Sequence, residues 1–177
     1  NLGLAQEFTT VEDYEFDQEP IRGYPELRWR GKRPFMSARY YPAQLKERHG
    51  SATDGWRNKI YWGDNLQVMS HLLKEFRGRV QLIYIDPPFD SKAEYKQKIA
   101  LRGSEVTSDH STFEEKQYED IWTHDEYLQF MYERLVLIRE LLSRTGTLYL
   151  HLDHRMAFPI KLLCDELFGP ANFRNVV

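Results

Sequence analysis

Cysteine, long apolar runs and closely spaced glycines are scarce in this sequence of 177 residues. Cys164 is the only cysteine, which excludes an internal disulfide framework and fits a reducing cytoplasm. It lies in the apolar run "IKLLCDELF", where we expect a buried structural thiol. No apolar run approaches the roughly 20 residues of a membrane span, and the amino terminus lacks the layout of a secretion signal. The sequence therefore predicts a cytoplasmic protein without a membrane segment.

The spacing of the glycines excludes two common phosphate-binding turns. None of the ten is separated from another by a single residue, so GxGxxG is absent, and GxxxxGK[ST] does not occur either. The second absence argues against a phosphate-hydrolysing motor, although "LIYID" could otherwise serve as its acidic strand. His151, Asp153 and His154 form a possible metal-ligand group, but no second group accompanies them. We therefore expect no metal site.

Charge is distributed unevenly near the amino terminus. Residues 1–19 carry six acids and no Lys or Arg, whereas residues 20–48 carry eight basic residues against two acids. The basic residues of the block "RWRGKRPF" are Arg28, Arg30, Lys32 and Arg33. They could contact phosphates, with Trp29 and Phe35 available for stacking. From this feature alone, a solvated face without a partner is the favoured explanation of the same residues.

Periodicity divides the chain into two parts. Residues 1–55 contain scattered prolines and no sustained pattern, so we interpret them as an irregular leader that packs against residues 56–177. In the second part, apolar patterns predict strands at 58–62, 80–85 and 147–152, and helices over 66–76, 125–142 and 154–168. Thr123 and Glu126 form a capping-box signature before the second helix, and Gly146 is expected to stop that helix.

The alternation of strands and helices predicts a doubly wound, Rossmann-like α/β fold with a mostly parallel sheet. The continuously apolar run "VQLIYI" is expected to be covered on both faces of that sheet. Asp64, Asp86 and Asp153 each follow a predicted strand. Because ligands of such folds gather at the carboxyl ends of the strands, we expect these three carboxylates along one functional edge.

The turn "DPPF", Asp86 to Phe89, directly follows the strand at 80–85. Proline lacks an N–H and has a fixed φ, so two prolines end the strand and stiffen the residues after it. Asp86 then offers a carboxylate, Pro87 a carbonyl without a strand partner, and Phe89 a flat apolar ring. Two acceptors and a ring suit a planar base with an exocyclic amino group. An ordinary strand-to-loop turn is the alternative, because Asp and Pro are common in turns.

The tetrapeptide and its neighbours resemble a known family, the DNA amino-methyltransferases, whose catalytic motif is [DNS]-P-P-[YFW]. The segments "IYWGDNLQVM", "YERLVLIRELLSRTGTLYLHLD" and "LLCDELFGPANFRNVV" resemble the segments that flank the motif in that family. The resemblance covers about residues 58–177. The order of the segments is similar to the permuted class in which the catalytic half comes first, and within it to the modification subunits of type III restriction systems.

The resemblance implies a role for each matching residue. Asp86, Pro87, Pro88 and Phe89 would form the catalytic motif, with Asp86 and Pro87 binding the target amino group and Phe89 stacking on the flipped base. Asp64 and Asn65, together with Asp86, would border the pocket of the cofactor, S-adenosylmethionine. The loop after Phe89 would contact DNA through Lys92, Lys96 and Lys98, for which a solvated loop is the alternative. Phe89 and "DSK" replace the common Tyr and "NTG", so any hydrogen bond from a tyrosine hydroxyl is lost.

The family's glycine turn F-x-G-x-G is absent from this chain, and the permuted order places it further along. Asn1 is not an initiator methionine, and the sequence ends within an apparent strand, so we expect more chain beyond Val177. These 177 residues would be an N-terminal catalytic half that neither binds S-adenosylmethionine tightly nor methylates DNA alone.

The predicted activity is N6-adenine methylation of double-stranded DNA with a flipped target base, in a restriction-modification system. The partner would be a restriction subunit or a second copy of the chain. An N4-cytosine methyltransferase is one alternative, disfavoured because the motif begins with Asp. A non-catalytic, methyltransferase-like DNA-binding subunit is the other, disfavoured because the motif Asp86–Phe89 is intact.

Overall fold

The computed structural model describes residues 13–18, 23–88 and 124–177, together with the backbone of two short strands between them. In chain order the elements are β1 (Asp13–Glu15), β2 (Ser37–Arg39), α1 (Asn65–Phe76), β3 (Val80–Ile85), β4 (Glu94–Gln97), β5 (Glu115–Glu119), α2 (His124–Leu141), β6 (Leu142–Leu150), α3 (His154–Phe168) and a 3-10 turn (Pro170–Asn172). None of the helices among the described residues has the length and apolarity needed to cross a membrane.

The central strand pair consists of β3 and β6, which run parallel, with Tyr84 opposite Tyr149 and Ile85 opposite Leu150. The strands β1 and β2 form one antiparallel pair, and β4 and β5 form another. The predicted mixed α/β class is therefore confirmed, with a two-stranded parallel sheet among the described residues.

Helix α1 forms where the periodicity predicts it. Its apolar side chains Leu66, Met69, Leu72, Leu73 and Phe76 all pack on the core. The carboxylate of Asp64 accepts hydrogen bonds from the backbone N–H groups of Leu66 and Gln67, which satisfies two otherwise unpaired donors. Helix α1 therefore begins directly after Asp64, whose side chain serves as its N-cap.

Helices α2 and α3 supply most of the buried core. Leu135 and Val136 of α2 and Ile160 and Leu163 of α3 have no exposed surface. Burial of such a side chain stabilises the fold by roughly 1.5–3 kcal/mol. Helix α3 begins after Asp153 and ends at Gly169, whose φ of 86° favours glycine, as the sequence predicts.

Gly146 does not end a helix as predicted. Helix α2 ends at Leu141 and β6 begins at Leu142, five residues before the predicted strand start at 147. Gly146 lies inside β6, where an added Cβ would be 2.7 Å from the carbonyl oxygen of Val80. The glycine therefore permits a close approach of β6 to β3, a tertiary requirement that the local pattern does not reveal.

Residues 58–62 do not form the predicted strand. Ile60 and Trp62 are 98% and 102% exposed, and no strand pairs with this segment among residues 13–18, 23–88 and 124–177. A segment without a neighbouring strand gains no inter-strand hydrogen bonds. Its apolar pattern alone is therefore not sufficient to form a strand. The predicted capping residue Thr123 and most of the polar segment before it lie outside the described residues.

The two faces of the β3–β6 sheet differ, contrary to the expectation that both are covered. Ile83, Ile85, Leu148 and Leu150 pack on the helical core. On the opposite face Leu82, Tyr84 and Tyr149 are 61%, 62% and 53% exposed. The helices described thus cover one face of the parallel sheet.

The described part of the amino-terminal segment packs against the helices. Phe16 is buried and stacks on Phe35 at 5.8 Å between ring centroids. Trp29 meets the ring of Tyr132 edge-on at 5.9 Å. The rings of Trp29 and Phe35 are half-buried and pack on the core, and their availability for stacking stays a prediction. The boundary between leader and catalytic half at residues 55 and 56 stays a prediction.

Candidate active site

Asp86 lies at the open tip of β3. The carbonyl of Ile85 accepts a hydrogen bond from the N–H of His151 at 3.0 Å, the last ladder contact before the two prolines. The Asp86 side chain is exposed, and it makes no hydrogen bond or ion pair within the described residues. No backbone N–H of those residues reaches the carbonyl of Pro87 either. Among the residues that the structure describes, the strand tip therefore presents a carboxylate and an adjacent carbonyl without partners.

The remaining members of the predicted catalytic motif are described only in part. Pro87 and Pro88 are half-buried, whereas Phe89 lies outside the described residues. The stacking role of Phe89 therefore stays a prediction. Lys92 and Lys98 also lie outside the described residues, and only the backbone of Lys96 is described, as part of β4. The contacts of these lysines with DNA therefore stay predictions as well.

Asp153, at the neighbouring strand end, is fully engaged. One carboxylate oxygen accepts hydrogen bonds from the backbone N–H groups of Arg155 and Met156 at 3.1 and 2.9 Å. The other accepts from the guanidinium of Arg155 at 2.9 and 2.7 Å. Desolvation raises the pKa of Asp153, but the hydrogen bonds and the charge of Arg155 together hold the pKa below its ordinary value. This carboxylate starts helix α3 rather than facing a ligand.

Asp64 is engaged in the same way at the start of α1. Its Oδ1 accepts from the N–H groups of Leu66 and Gln67 at 2.9 and 3.2 Å. Its Oδ2 accepts from Arg134 at 3.2 Å. The next residue, Asn65, accepts from the Nε of Arg134 through its Oδ1 at 2.6 Å. Both residues are nonetheless exposed to solvent.

The sequence predicts that the start of α1 lies at the same end of the sheet as Asp86. The N–H groups of Gly78 and Arg79 donate to Glu140 and Leu141, which brings the end of α1 close to the end of α2. Helix α1 has 12 residues and spans about 18 Å, close to the roughly 20 Å of the six-residue strand β3 that follows it. These lengths agree with a shared edge for the Asp64–Asn65 turn and Asp86, but the strand at 58–62 from which the shared edge was predicted does not form, so it stays a prediction.

Arg134 bonds to both predicted cofactor residues, Asp64 and Asn65, and the sequence interpretation missed it. It is only 8% exposed, and its guanidinium lies 3.5 Å from the ring centroid of Phe130 while also donating to that residue's carbonyl at 3.1 Å. Burial lowers the pKa of Arg134, and the charges of Asp64 and Glu133 oppose this effect. The available signal was an arginine directly before the apolar run "LVLI" of this helix.

The four basic residues of the block "RWRGKRPF" divide into two groups. Lys32 is largely covered, lies 4.9 Å from the centroid of the Trp29 ring and donates to Glu166 at 2.7 Å. Arg28, Arg30 and Arg33 are exposed, with Arg28 paired to Glu26 at 3.1 Å and Arg33 at 3.9 Å from Glu133. Lys32 therefore has a structural ion pair, whereas the three arginines face solvent.

An open cleft of about 670 Å³ lies between residues 30–33 and the first half of α2. Its lining residues are Arg30, Gly31, Arg33, Asp125, Glu126, Gln129, Phe130, Glu133 and Arg134. Asp86 does not line it. The cleft is bordered instead by Arg134, which bonds to the Asp64–Asn65 turn, and by Phe130, which contacts the guanidinium of Arg134.

Cys164 is half-buried and packs against the core. Burial raises the pKa of its thiol to about 12, so it stays protonated at neutral pH. A protonated thiol is a weak nucleophile, in agreement with the expectation of a structural thiol. No group of three possible metal-ligating side chains occurs within residues 13–18, 23–88 and 124–177.

An α/β scaffold whose strand tip presents a free carboxylate beside two prolines is the arrangement expected of an amino-methyltransferase. A family model described as DNA methylase matches residues 80–177, which is more than half of the chain. The chain belongs to this DNA methylase family. The resemblance drawn from Asp86–Phe89 and its neighbours is thereby confirmed.

The similar proteins found individually carry names that agree with the DNA methylase family. A type II methyltransferase, M.EcaI of Enterobacter cloacae, is 33% identical over 120 residues, which are 68% of this chain and 23% of the relative. The EcoP15I Mod subunit of a type III restriction-modification enzyme from Escherichia coli is 33% identical over 126 residues, 62% of this chain and 19% of the relative. The StyLTI Mod subunit of Salmonella typhimurium is 34% identical over 125 residues, 66% and 19% of the two chains. The chain thus spans about a fifth of the length of these relatives.

Proposed function

We propose that this chain is the catalytic half of a DNA methyltransferase that transfers a methyl group from S-adenosylmethionine to N6 of adenine. The observation that carries the proposal is the free Asp86 carboxylate at the carboxyl edge of the sheet, followed by Pro87. Membership of the DNA methylase family and the names of the relatives support it. The first motif residue, Asp, favours adenine over cytosine.

In the proposed mechanism Asp86 and the Pro87 carbonyl each accept a hydrogen bond from the target amino group. Two acceptors fix the orientation of the nitrogen, so most of the rate acceleration comes from positioning. Phe89 stacks on the flipped base, which offsets the few kcal/mol that unstacking costs. Asp86 need not act as a strong base, because the methylated nitrogen loses its proton readily.

The residues at the strand edge fit the chemistry of S-adenosylmethionine, which supplies an electrophilic methyl group when bound. The free carboxylate of Asp86 suits a cationic or hydroxyl-bearing ligand. Asn65 adds an exposed amide, and Trp62 adds a fully exposed ring close to the same turn. The family's glycine turn is not among these residues, so they would hold only part of the cofactor.

The DNA contacts that we propose in the amino-terminal segment involve its solvent-exposed arginines. Arg28, Arg30 and Arg33 face solvent and would contact phosphates together with Lys92, Lys96 and Lys98. Lys32 is left out of this surface because Glu166 already neutralises it. Binding through phosphates weakens as the salt concentration rises.

The two-stranded sheet is proposed to be part of a larger, doubly wound sheet. Leu82, Tyr84 and Tyr149 are exposed on one face, whereas parallel sheets are normally covered on both. A second helical layer would cover them. The relatives named as Mod subunits further suggest a restriction subunit as partner, with a second copy of the chain as the alternative.

The test is expression of the full-length gene product in a host that lacks DNA methylation, followed by enzymatic digestion of the host DNA and mass analysis of its nucleosides. We expect N6-methyladenine in the expressing strain and none with an empty vector. N4-methylcytosine instead would overturn the base assignment in favour of the first alternative. Neither product, with retained DNA binding, would favour the non-catalytic subunit and overturn the proposal.

A further inference from the structure

We propose that His151, the residue directly after β6, is a positioning residue whose imidazole donates a hydrogen bond to the Asp86 carboxylate when the target base is bound. The inference rests on the proposed function and adds a residue to its site. His151 lies outside the predicted catalytic motif, and the sequence suggests it only as a member of a possible metal-ligand group.

The register of the parallel strands brings His151 beside Asp86. Ile85 of β3 lies opposite Leu150 of β6, so one further step along both strands pairs Asp86 with His151. The backbone N–H of His151 donates to the carbonyl of Ile85 at 3.0 Å, which extends the ladder to this pair. Neighbouring strands lie about 5 Å apart, so the two side chains start from backbones separated by roughly that distance.

The alternation of side chains along a strand places both residues on the same face of the sheet. The strand residues directly before them, Ile85 and Leu150, pack on the helical core. Because successive side chains alternate, those of Asp86 and His151 point to the opposite face. Both residues are exposed, in agreement with this direction. The face that they share is the one that the described helices leave open.

The Asp86 carboxylate has a second oxygen that the proposed mechanism leaves unused. One oxygen accepts from the target amino group, as does the carbonyl of Pro87. An exposed carboxylate rotates freely unless a second bond fixes its plane, and that restriction has an entropic cost. An imidazole carries at least one N–H in both of its protonation states, and a bond from N–H to a carboxylate is charge-assisted. His151 would therefore hold the plane of the carboxylate.

Asp86 makes no hydrogen bond in the described part of the chain. Catalytic hydrogen bonds often tighten only when the substrate binds, so we place the bond from His151 in the complex with the target base.

Asp153 is the other carboxylate close to His151, but its capacity as an acceptor is already used. It accepts four hydrogen bonds, two from backbone N–H groups of Arg155 and Met156 and two from the guanidinium of Arg155. A carboxylate has about four lone-pair sites, so a further donor would have to displace one of these. Asp86 is thus the neighbouring carboxylate that has capacity left for the imidazole.

The experiment measures steady-state DNA methylation by the full-length protein. We expect His151→Leu to lower kcat about tenfold to a hundredfold and to leave the KM values for S-adenosylmethionine and DNA nearly unchanged, because the carboxylate loses its orientation. The thermal unfolding temperature should stay the same, since the side chain is exposed and the ladder bond comes from the backbone. A fully active His151→Leu variant would overturn the inference and leave the proposed function intact.

The matched control is His154→Leu, the same substitution at an exposed histidine three positions later, at the start of α3. It should retain the kcat of wild type, because the strand register does not bring His154 beside Asp86. An equal loss of kcat in the two leucine variants would overturn the role assigned to His151.

His151→Asn and His151→Gln test hydrogen-bond donation itself. Each variant replaces the ring N–H by an amide N–H, and neither amide changes its protonation near neutral pH. We expect at least one of them to recover kcat to within about threefold of wild type, since an N–H donor is the property that the role requires. If both lost as much activity as His151→Leu, the role as donor would be wrong.

An Asp86→Asn background tests whether His151 acts through Asp86. There His151→Leu should lower kcat by less than about threefold, because the carboxylate that the imidazole orients is gone. An equal loss in both backgrounds would overturn the positioning role. Absence of methylation by the wild-type full-length protein would instead overturn the proposed function, and this inference with it.

Discussion

The carboxyl ends of β3 and β6 are adjacent, but the aspartates that follow them differ in their hydrogen bonds. The two strands run parallel with Ile85 opposite Leu150, and each is followed closely by an aspartate. Asp153 accepts from the backbone and the guanidinium of residues after it, whereas Asp86 makes no such bond within the described residues. The comparison shows that an aspartate at a strand end is not by itself a site residue, because the following residues decide whether its carboxylate is satisfied locally.

The prolines explain the difference. A capping carboxylate accepts from the N–H groups two and three residues later, as Asp153 does from Arg155 and Met156. The residue two positions after Asp86 is Pro88, which has no N–H. Local capping is thereby impeded at Asp86, and its carboxylate stays free for an external partner.

The largest expected effect comes from removing the free carboxylate. Asp86→Ala in the full-length protein should lower kcat for DNA methylation by about a thousandfold or more, since the target nitrogen loses its orientation. The free energy of unfolding should change by less than about 0.5 kcal/mol, because the side chain is exposed and unpaired. Single-turnover methylation and urea unfolding measure the two quantities.

Asp153→Ala is the matched control for that variant. If Asp153→Ala abolished methylation without destabilising the protein while Asp86→Ala stayed active, the roles assigned to the two strand tips would be reversed.

The second effect is on stability. Asp153→Ala removes the cap of α3 and should lower the free energy of unfolding by about 1 kcal/mol, visible in urea unfolding followed by circular dichroism. Asp153→Asn should retain most of that stability at neutral pH, because an asparagine oxygen can still accept from the helix N–H groups. An alanine variant as stable as wild type would show that the Asp153 cap does not contribute to the free energy of unfolding.

The smallest effect is the acid dependence of the same cap. The folded-state pKa of Asp153 lies below its ordinary value, so its charge contributes stability that is present above the unfolded-state pKa. That contribution is lost as the pH falls through the folded-state pKa. The stability advantage of wild type over Asp153→Asn should therefore be constant near neutral pH and shrink in strong acid, in urea titrations at a series of pH values. A difference that grew in acid would contradict the direction of the shift.

Local signals in the sequence account for much of the fold. Helix α1 follows from apolar spacing and from Asp64 as cap, and β3 follows from a continuous apolar run. Helix α3 follows from the same kinds of signal, with Gly169 at its end. These features depend on residues within a few positions of one another, which is why a single sequence suffices to predict them.

Features that depend on distant partners were not predictable. Gly146 lies in β6 because Val80 approaches it there, although a glycine after an apolar helix also indicates a helix stop. The predicted strand at 58–62 has no neighbouring strand among the described residues. In both places the deciding contact comes from a part of the chain that no local pattern identifies.

The sequence by itself determined the class of protein and the position of an exposed carboxylate at a strand end, because two prolines after Asp86 act on the backbone wherever the chain folds. Only the tertiary structure decided which aspartates are already satisfied, and that Arg134 reaches the Asp64–Asn65 turn from another helix. The physical reason is that hydrogen bonding of a carboxylate depends on which donors packing brings within about 3 Å, and the donor from Arg134 lies 70 residues from its acceptor Asp64.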